Sequence, residues 1–289
     1  MTKIRKAVIP AAGCGTRFVP FTKAMPKEML PLIDKPVIQY IVEELVASGI
    51  SQITLVTGWS KRAIEDHFDY NFELEYRLKK AGKTESYKKI REVADLATFT
   101  YVRQKEPLGN GHAILCAKEL INGEPFVVAW GDDLIIGKGK PYFSQLIDVY
   151  NKYGGSVLSV APVDEKGMKR YGIIKAKQIK KGLYQVLQVV EKPGPKKAPS
   201  NLANLGGFVL TPKIFDILEK TKPGKGGEIW LQDAINTLCK IEPVYAYEYS
   251  GERYDTGEQL GYLQSMVKMA LKRDDLKDEF KKFLKSIKI

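Results

Sequence analysis

The first half of the chain alternates short apolar runs with amphipathic stretches. Lys6 to Pro10, Gln52 to Thr57, Thr98 to Val102 and Phe126 to Trp130 are strand-length runs rich in β-branched and aromatic residues. Between them, Val37 to Ser48 repeats its apolar positions at helical spacing and is stopped by Gly49. Ser60 is placed to N-cap a helix running to about His67, Asn71 to Val93 reads as a charged, exposed helix, and Gly111 to Leu120 as another helix. Strand–helix alternation of this kind predicts right-handed βαβ units on a parallel sheet.

The second half has a different rhythm. Ser156 to Val163, Gly172 to Ala176 and Tyr184 to Val190 are strands lying close together, with turns at Gly167 and at Lys181-Gly182, so they pair antiparallel. Leu205 to Leu210 is a further strand. Thr211-Pro212 then supplies an N-cap followed by proline at the first helical position. Ile229 to Cys239 and Leu260 to Leu271 are helices, and Asp274 to Ile289 closes the chain as a helical tail. The pattern predicts one α/β unit over residues 1–289: a Rossmann-like mixed, mainly parallel sheet flanked by helices, with a small antiparallel part and a helical C-terminal extension. Its expected parts are about 1–135, 136–256 and 257–289.

Composition narrows the functional classes. With 44% hydrophobic and 28% charged residues, the 289-residue chain can bury a core and keep a solvated surface. No apolar run approaches the ~20 residues of a membrane span. Met1 to Lys6 leads into the first strand without the apolar region of a signal peptide, so a cytoplasmic location and no membrane partner are expected. The net charge of +12 raises nucleic acid as a partner. Yet the only dense basic patch, Lys272 to Lys288, alternates with Asp274, Asp275, Asp278 and Glu279, the pattern of a solvated helix face, and no nucleic-acid partner is expected. Cys14, Cys116 and Cys239 are scattered, which argues against zinc. Cys116 and Cys239 are expected to be buried thiols, and Cys14 a bystander in its loop.

The chemistry concentrates after the first strand, where ligands bind in parallel sheets. Ala11-Ala12-Gly13-Cys14-Gly15-Thr16-Arg17 is neither a dinucleotide fingerprint, which needs a third glycine where Phe18 stands, nor a Walker A loop. Its glycines allow a tight turn that presents N–H groups to an anion. Arg17, Lys23 and Lys27 beside it suit a triphosphate whose charge must be neutralised during displacement at phosphorus.

Three further segments add to it. In Gln104-Lys105-Glu106-Pro107-Leu108-Gly109-Asn110-Gly111, the glutamine amide can donate and accept, as reading a pyrimidine edge requires, and the glycines allow close approach. Asp132-Asp133 ends an apolar strand beside the phosphate loop, a position suited to a Mg²⁺ ligand. Tyr254-Asp255-Thr256-Gly257 offers a second carboxylate, either for a metal or as a helix N-cap.

Gly13-x-Gly15-Thr16-Arg17-x-x-Pro20-x-Thr22-Lys23 with Pro26-Lys27-Glu28-Met29-Leu30-Pro31 resembles the signature of the sugar-1-phosphate nucleotidyltransferases, and within them the prokaryotic UTP–glucose-1-phosphate uridylyltransferases. The resemblance runs from about Lys6 to about Ser265. It implies a Mg²⁺-dependent enzyme, expected to form homodimers or homotetramers, whose substrates are UTP and glucose 1-phosphate. By resemblance Arg17 and Lys27 are catalytic; Ala11, Ala12, Gly13, Gly15, Thr16, Gln104 and Gly109 hold the nucleotide; Asp132 and Asp255 hold the metal. Asp133, Gly172, Glu191, Lys192 and Asn204 form the sugar-phosphate site, with Asn201 beside it. The chain departs from the family pattern at Asn110, at Gly207-Phe208, and at Trp230 and Gln232, the last two expected to be surface or packing changes. The rivals are a sibling with another base or sugar, a glycosyltransferase using Asp132-Asp133, and a non-catalytic nucleotide-sugar sensor.

Overall fold

The structure, a computed structural model, describes residues 3–287. Lys288 and Ile289, the end of the expected tail and of the basic patch, lie outside the described residues. The first half comprises β1 (Lys6–Pro10), β2 (Pro31–Leu32), β3 (Lys35–Pro36), α1 (Val37–Ala47), β4 (Gln52–Thr57), α2 (Arg62–His67), α3 (Phe72–Lys80), α4 (Thr84–Ala94), β5 (Thr98–Arg103), α5 (Asn110–Leu115), α6 (Lys118–Ile121) and β6 (Phe126–Val128). There follow β7 (Asp133–Gly137), α7 (Tyr142–Tyr153), β8 (Ser156–Pro162), α8 (Glu165–Met168), β9 (Gly172–Lys180), β10 (Leu183–Glu191) and β11 (Leu202–Leu210). The chain ends with α9 (Lys213–Lys220), α10 (Leu231–Leu238), β12 (Val244–Glu248), β13 (Gly251–Asp255), α11 (Gln259–Lys272) and α12 (Lys277–Ser286).

Nine strands form one mixed sheet in the order β5-β4-β1-β6-β11-β8-β12-β10-β9. The β5, β4, β1 and β6 pairings are parallel, as the βαβ rhythm requires. From β11 onward the pairings are antiparallel except β12 with β8. The antiparallel part therefore continues the main sheet across position 135. β9 returns to meet β11 at Ile173 and Ala203, curling the second half toward a closed ring. Val8 and Val128 face one packed layer, with α5, α9 and α10; Ala7, Ile9 and Val127 face the other, with α1 and α7. That alternation is why β1 and β6, buried on both faces, read as continuous apolar runs. Among the described residues no helix is long and apolar enough to cross a membrane.

Several expected boundaries differ. Ser60 does not cap α2: its backbone is left-handed (φ 62°), and the helix starts after Lys61. The charged stretch from Asn71 is two helices, because Gly82 (φ 67°) turns the chain between α3 and α4. Asn71 caps α3 by accepting a hydrogen bond from the Leu74 N–H. Residues 111–120 likewise split into α5 and α6, and α9 begins after Pro212 rather than at it. Cys116 and Cys239 are half-buried rather than buried; burial still pushes the Cys239 thiol up to about 11.

Candidate active site

The cleft opens at the C-terminal ends of β1, β4 and β6. Among the described residues, the N–H groups of Ala12, Gly13, Cys14 and Gly15 donate to no backbone carbonyl, which leaves them available to an anion. Gly15 is left-handed (φ 65°), and a Cβ there would lie 3.0 Å from Thr22 and 3.2 Å from the Lys27 Cβ. The Thr22 hydroxyl donates to the Gly15 carbonyl at 2.9 Å, pinning the turn. Ala11 is buried, while Thr16 and Arg17 stand exposed at the rim.

Lys27 lies under this loop, its ammonium 4.0 Å from where a Gly13 Cβ would be and 2.6 Å from Asp132 Oδ2. Burial pulls the Lys27 pKa down, but Asp132, Glu28 and the hydrogen bond to Asp132 outweigh it and hold the ammonium above the ordinary lysine value. Behind it, Glu28 and Lys61 form a buried ion pair at 2.9 Å. Lys23, by contrast, is exposed on a separate 3-10 turn.

The last motif folds back onto the first. Arg17 Nη1 donates to the Gly257 carbonyl at 3.0 Å, and Gln259 donates to the Arg17 carbonyl at 3.2 Å. The Thr256 hydroxyl donates to the Asp132 carbonyl at 2.6 Å. A Cβ on Gly257 would lie 3.4 Å from Asp255 Oδ1, 3.5 Å from Arg17 Nη1 and 3.5 Å from Asp132 Oδ2. Both carboxylates and the guanidinium therefore border one small space, which glycine leaves open. Asp255 Oδ1 accepts the Gly257 N–H at 3.1 Å, a local turn contact, while α11 begins after Glu258. Asp255 is therefore not the residue at the α11 N-cap.

Asp133, expected in the sugar-phosphate site, has both carboxylate oxygens engaged by other parts of the chain. Arg253 Nε donates to its Oδ1 at 2.6 Å, and the Gly206 N–H donates to its Oδ2 at 3.1 Å. Burial opposes the Arg253 charge, but Asp133 holds its pKa above the ordinary arginine value. Arg253 also donates to the Tyr171 hydroxyl, which in turn donates to Asp255 Oδ2, both at 3.2 Å. Arg253, Thr256 and Lys61 had no role in the reading of the sequence. Only Thr256 carried a signal, through its place in the Tyr254–Gly257 motif.

The base-reading segment is locked to the 226–235 motif. The Gly111 N–H donates to the Ile229 carbonyl at 2.9 Å, and the Ile229 N–H to the Leu108 carbonyl at 2.7 Å. Asn110 Oδ1 accepts from the Leu231 N–H at 2.9 Å, so this departure from the family pattern caps α10. Gly109 is left-handed (φ 96°) against Ile229, and a Cβ would fall 2.7 Å from the Ile229 carbonyl oxygen. Gln104, 8% exposed, donates from Nε2 to the Gly109 carbonyl at 3.0 Å and lies 3.0 Å from His112 Nδ1. A carbonyl can only accept, so the NH₂ faces Gly109 and the amide oxygen is left to accept elsewhere.

At the other end of the cleft, Gly172 pairs with Glu191 across β9 and β10. A Cβ on Gly172 would lie 3.1 Å from Glu191 Oε2. Lys192, left-handed at φ 46°, forms a 3.3 Å ion pair with Glu191, and both side chains are exposed. A non-glycine residue in that region is a costly conformation that clusters at ligand sites. Asn201 is exposed and Asn204 half-buried on β11. Gly207 and Phe208, which depart from the family pattern, are buried within β11. They lie at a bulge in β11, where a Gly207 Cβ would meet the Val128 carbonyl oxygen at 2.4 Å, and Phe208 packs edge-on against Trp130.

Among the described residues no three His, Cys, Asp or Glu side chains converge at metal-binding distance. Two carboxylates are nevertheless sufficient for Mg²⁺, which takes one or two carboxylates and completes its shell with water and substrate phosphates. Asp132 and Asp255, both bordering the space at Gly257, fit that donor set.

The nucleotidyl transferase family profile matches residues 6–272. The UTP–glucose-1-phosphate uridylyltransferase of Bacillus subtilis is 51% identical over 287 residues, covering 99% of this chain and 98% of its own. UTP–glucose-1-phosphate uridylyltransferase 2 of Staphylococcus saprophyticus is 52% identical over the full length of both. Among solved structures, the UTP-bound UGPase of Acinetobacter baumannii superposes with a TM-score of 0.92 at 38% identity, covering 99% of this chain and all of that one. A UDP-glucose pyrophosphorylase complexed with UDP-glucose gives 0.86 at 43% identity, over 94% of this chain and all of that one. A match over most of the chain and half-identical relatives of the same length leave one assignment: the chain belongs to the nucleotidyl transferase family.

Proposed function

We propose that the protein transfers the uridylyl group of UTP to glucose 1-phosphate, giving UDP-glucose and pyrophosphate. Full-length identity of about half with two uridylyltransferases carries this reading. A phosphate oxygen of the sugar phosphate attacks the α-phosphorus in line. The bond from that phosphorus to the bridging oxygen breaks, and pyrophosphate leaves with the electron pair. The nucleophile is already an anion at neutral pH, so no general base is needed, which suits a chain with two histidines. The task is to bring two polyanions together, by positioning and charge neutralisation.

Ala11, Ala12, Gly13, Gly15 and Thr16 would cradle the triphosphate. Arg17, held by Gly257, and Lys27, kept charged beside Asp132, would neutralise charge on the transferring group and on the departing pyrophosphate. The Gln104 amide oxygen would accept from uracil N3–H; cytosine has an acceptor at that position, so the contact favours uracil or thymine. Gly172, Glu191, Lys192 and Asn204 would hold the sugar phosphate, and Asp133 would brace this pocket through Arg253 and Gly206. Asp132 and Asp255 would hold Mg²⁺, which when bound neutralises phosphate charge and orients the phosphates.

In this reading residues 1–135 serve the nucleotide, 136–256 the sugar phosphate, and 257–289 close the cleft and support a cytoplasmic homo-oligomer. Exposed Leu260, Leu263 and Phe283 on α11 and α12 support that last point. Light scattering giving a monomer mass would reject it. The activity is tested by pyrophosphate release with Mg²⁺ and glucose 1-phosphate, using UTP, dTTP, ATP, CTP and GTP in turn. UTP should be strongly preferred; release mainly with another nucleotide would move the protein to a sibling activity.

A further inference from the structure

Two buried side-chain polar atoms among the described residues have no hydrogen-bond partner, Asn204 Oδ1 and Gln232 Oε1. Such orphans are rare in folded proteins, and an absent ligand is one of the few good reasons for them. Both are amide oxygens that can accept a hydrogen bond, and both lie at the same end of the cleft.

The sheet shows why. Ile173 on β9 pairs with Ala203 on β11, and the two side chains share a small apolar cluster on one face. Side chains alternate along a strand, so Gly172 and Asn204 point to the opposite face. Glu191, paired with Gly172, points there too. That face is covered by α10. Asn236 clamps it to β10, accepting from the Val189 N–H at 2.7 Å and donating to the Val189 carbonyl at 2.9 Å. Gln232 stands one helical turn before Asn236, on the same side of α10. Its Cγ is 3.9 Å from where a Gly172 Cβ would be, and the same point is 3.1 Å from Glu191 Oε2. Gln232 is therefore turned toward the sugar-phosphate residues, not outward as a surface change.

We propose that Gln232 is a specificity-determining residue of the hexose 1-phosphate pocket, its amide accepting a hydrogen bond from a hexose hydroxyl beside Asn204 and Glu191. The proposal rests on the reading that a hexose 1-phosphate is the substrate. Phosphate carries no hydroxyl to satisfy a buried amide oxygen at neutral pH, whereas the sugar ring carries several. A pocket that leaves acceptors unpaired without the correct hydroxyl also rejects sugars that misplace it.

The test uses the full chain, Gln232→Met and Gln232→Leu, with UTP and either glucose 1-phosphate or its epimer galactose 1-phosphate. Methionine keeps the length of the side chain and removes the amide. The expected result is a rise of about tenfold in KM for glucose 1-phosphate. The KM for UTP should stay unchanged, and the kcat/KM preference between the two epimers should narrow. Unchanged KM and preference in both variants would overturn the proposal. So would a parallel loss for UTP and sugar together with a lower melting temperature, which marks a packing role. A wild-type protein that releases no pyrophosphate with either sugar would instead overturn the proposed function itself, so the two failures are distinguishable.

Discussion

Lys61 and Glu28 form an ion pair sealed inside the protein, 4% and 1% exposed and 2.9 Å apart, directly behind the Lys27 that reaches the cleft. Removing one partner strands the other as a buried charge, which costs about 3–5 kcal/mol, whereas replacing both with apolar residues is often neutral. Lys61→Met is therefore expected to lower the unfolding free energy, read from urea titration, by an amount in that range. Adding Glu28→Leu should recover most of the loss. A Lys61→Met protein as stable as the wild type would show that Glu28 finds another partner.

That pair also marks where sequence reading stops. Strand and helix rhythm made the sheet and its flanking helices legible, because β1, β4 and β6 are buried on both faces and α1 on one. The glycine turn and its cations were legible because they lie within about twenty residues of one another. Contacts made across the chain were not. Arg253 meets Asp133 over a separation of 120 residues, and Thr256 meets Asp132 over 124, so the local sequence does not announce either contact, although Thr256 stands in a recognisable motif. The two groups that hold Asp133, Arg253 and the Gly206 N–H, are likewise distant in sequence, so its neighbours give no sign of them. Ser60 offered a good cap by composition, yet the backbone turns left-handed there and buries Lys61 instead.

Gly109 gives a sharp test of the base-reading segment. Its backbone is left-handed, and an added Cβ would fall 2.7 Å from the Ile229 carbonyl oxygen and 2.8 Å from the Glu228 Cβ. Neither neighbour is a flexible side-chain end. Gly109→Ala must therefore shift the segment that carries Gln104's partner carbonyl. The expected outcome is a loss of about 1–3 kcal/mol in stability from strain and a higher KM for UTP, with KM for glucose 1-phosphate little changed. Steady-state kinetics with each substrate varied in turn would read this, and an unchanged KM for UTP would separate Gly109 from base binding.

The tether between α11 and β13 should give a recognisable pH signature. Lys272 donates to Glu252 and to the Tyr254 hydroxyl. The hydrogen bond from Lys272 holds the Glu252 carboxyl below its ordinary 4.5. The hydrogen bonds to Glu252 and Tyr254 hold Lys272 above its ordinary 10.5. A depressed acid stabilises above its unfolded value and stops doing so as pH falls through its folded one; a raised base stabilises below its unfolded value and is lost as pH rises through its folded one. The tether is thus complete at neutral pH and fails at both extremes. Because the pair is largely solvated, it is worth no more than about 1 kcal/mol. The melting-temperature difference between the wild type and Lys272→Met should be greatest near neutrality, shrink below about 4.5 and above about 10.5, and diminish in high salt. A difference that ignores pH would assign the effect to packing of the lysine stem.

Lys27 and Asp132 touch each other, so single substitutions must be chosen to separate their roles. Lys27→Ala removes a charge aimed at the transferring group while leaving both carboxylates. Turnover should fall about 100- to 1,000-fold, the usual scale for one lost electrostatic contact to a transition state. Binding of the Mg²⁺ nucleotide should survive, since the repulsion of one ammonium from the cation site is gone. Asp132→Asn keeps the shape but removes one of the two negative ligands proposed for the metal. It should raise the Mg²⁺ concentration needed for half-maximal activity and weaken Mn²⁺ binding, measured by electron paramagnetic resonance with UTP present. Near-normal turnover in Lys27→Ala would refute its proposed role. Unchanged Mn²⁺ binding in Asp132→Asn would move the metal away from this carboxylate, and the Lys27–Asp132 contact would then serve only to orient the lysine.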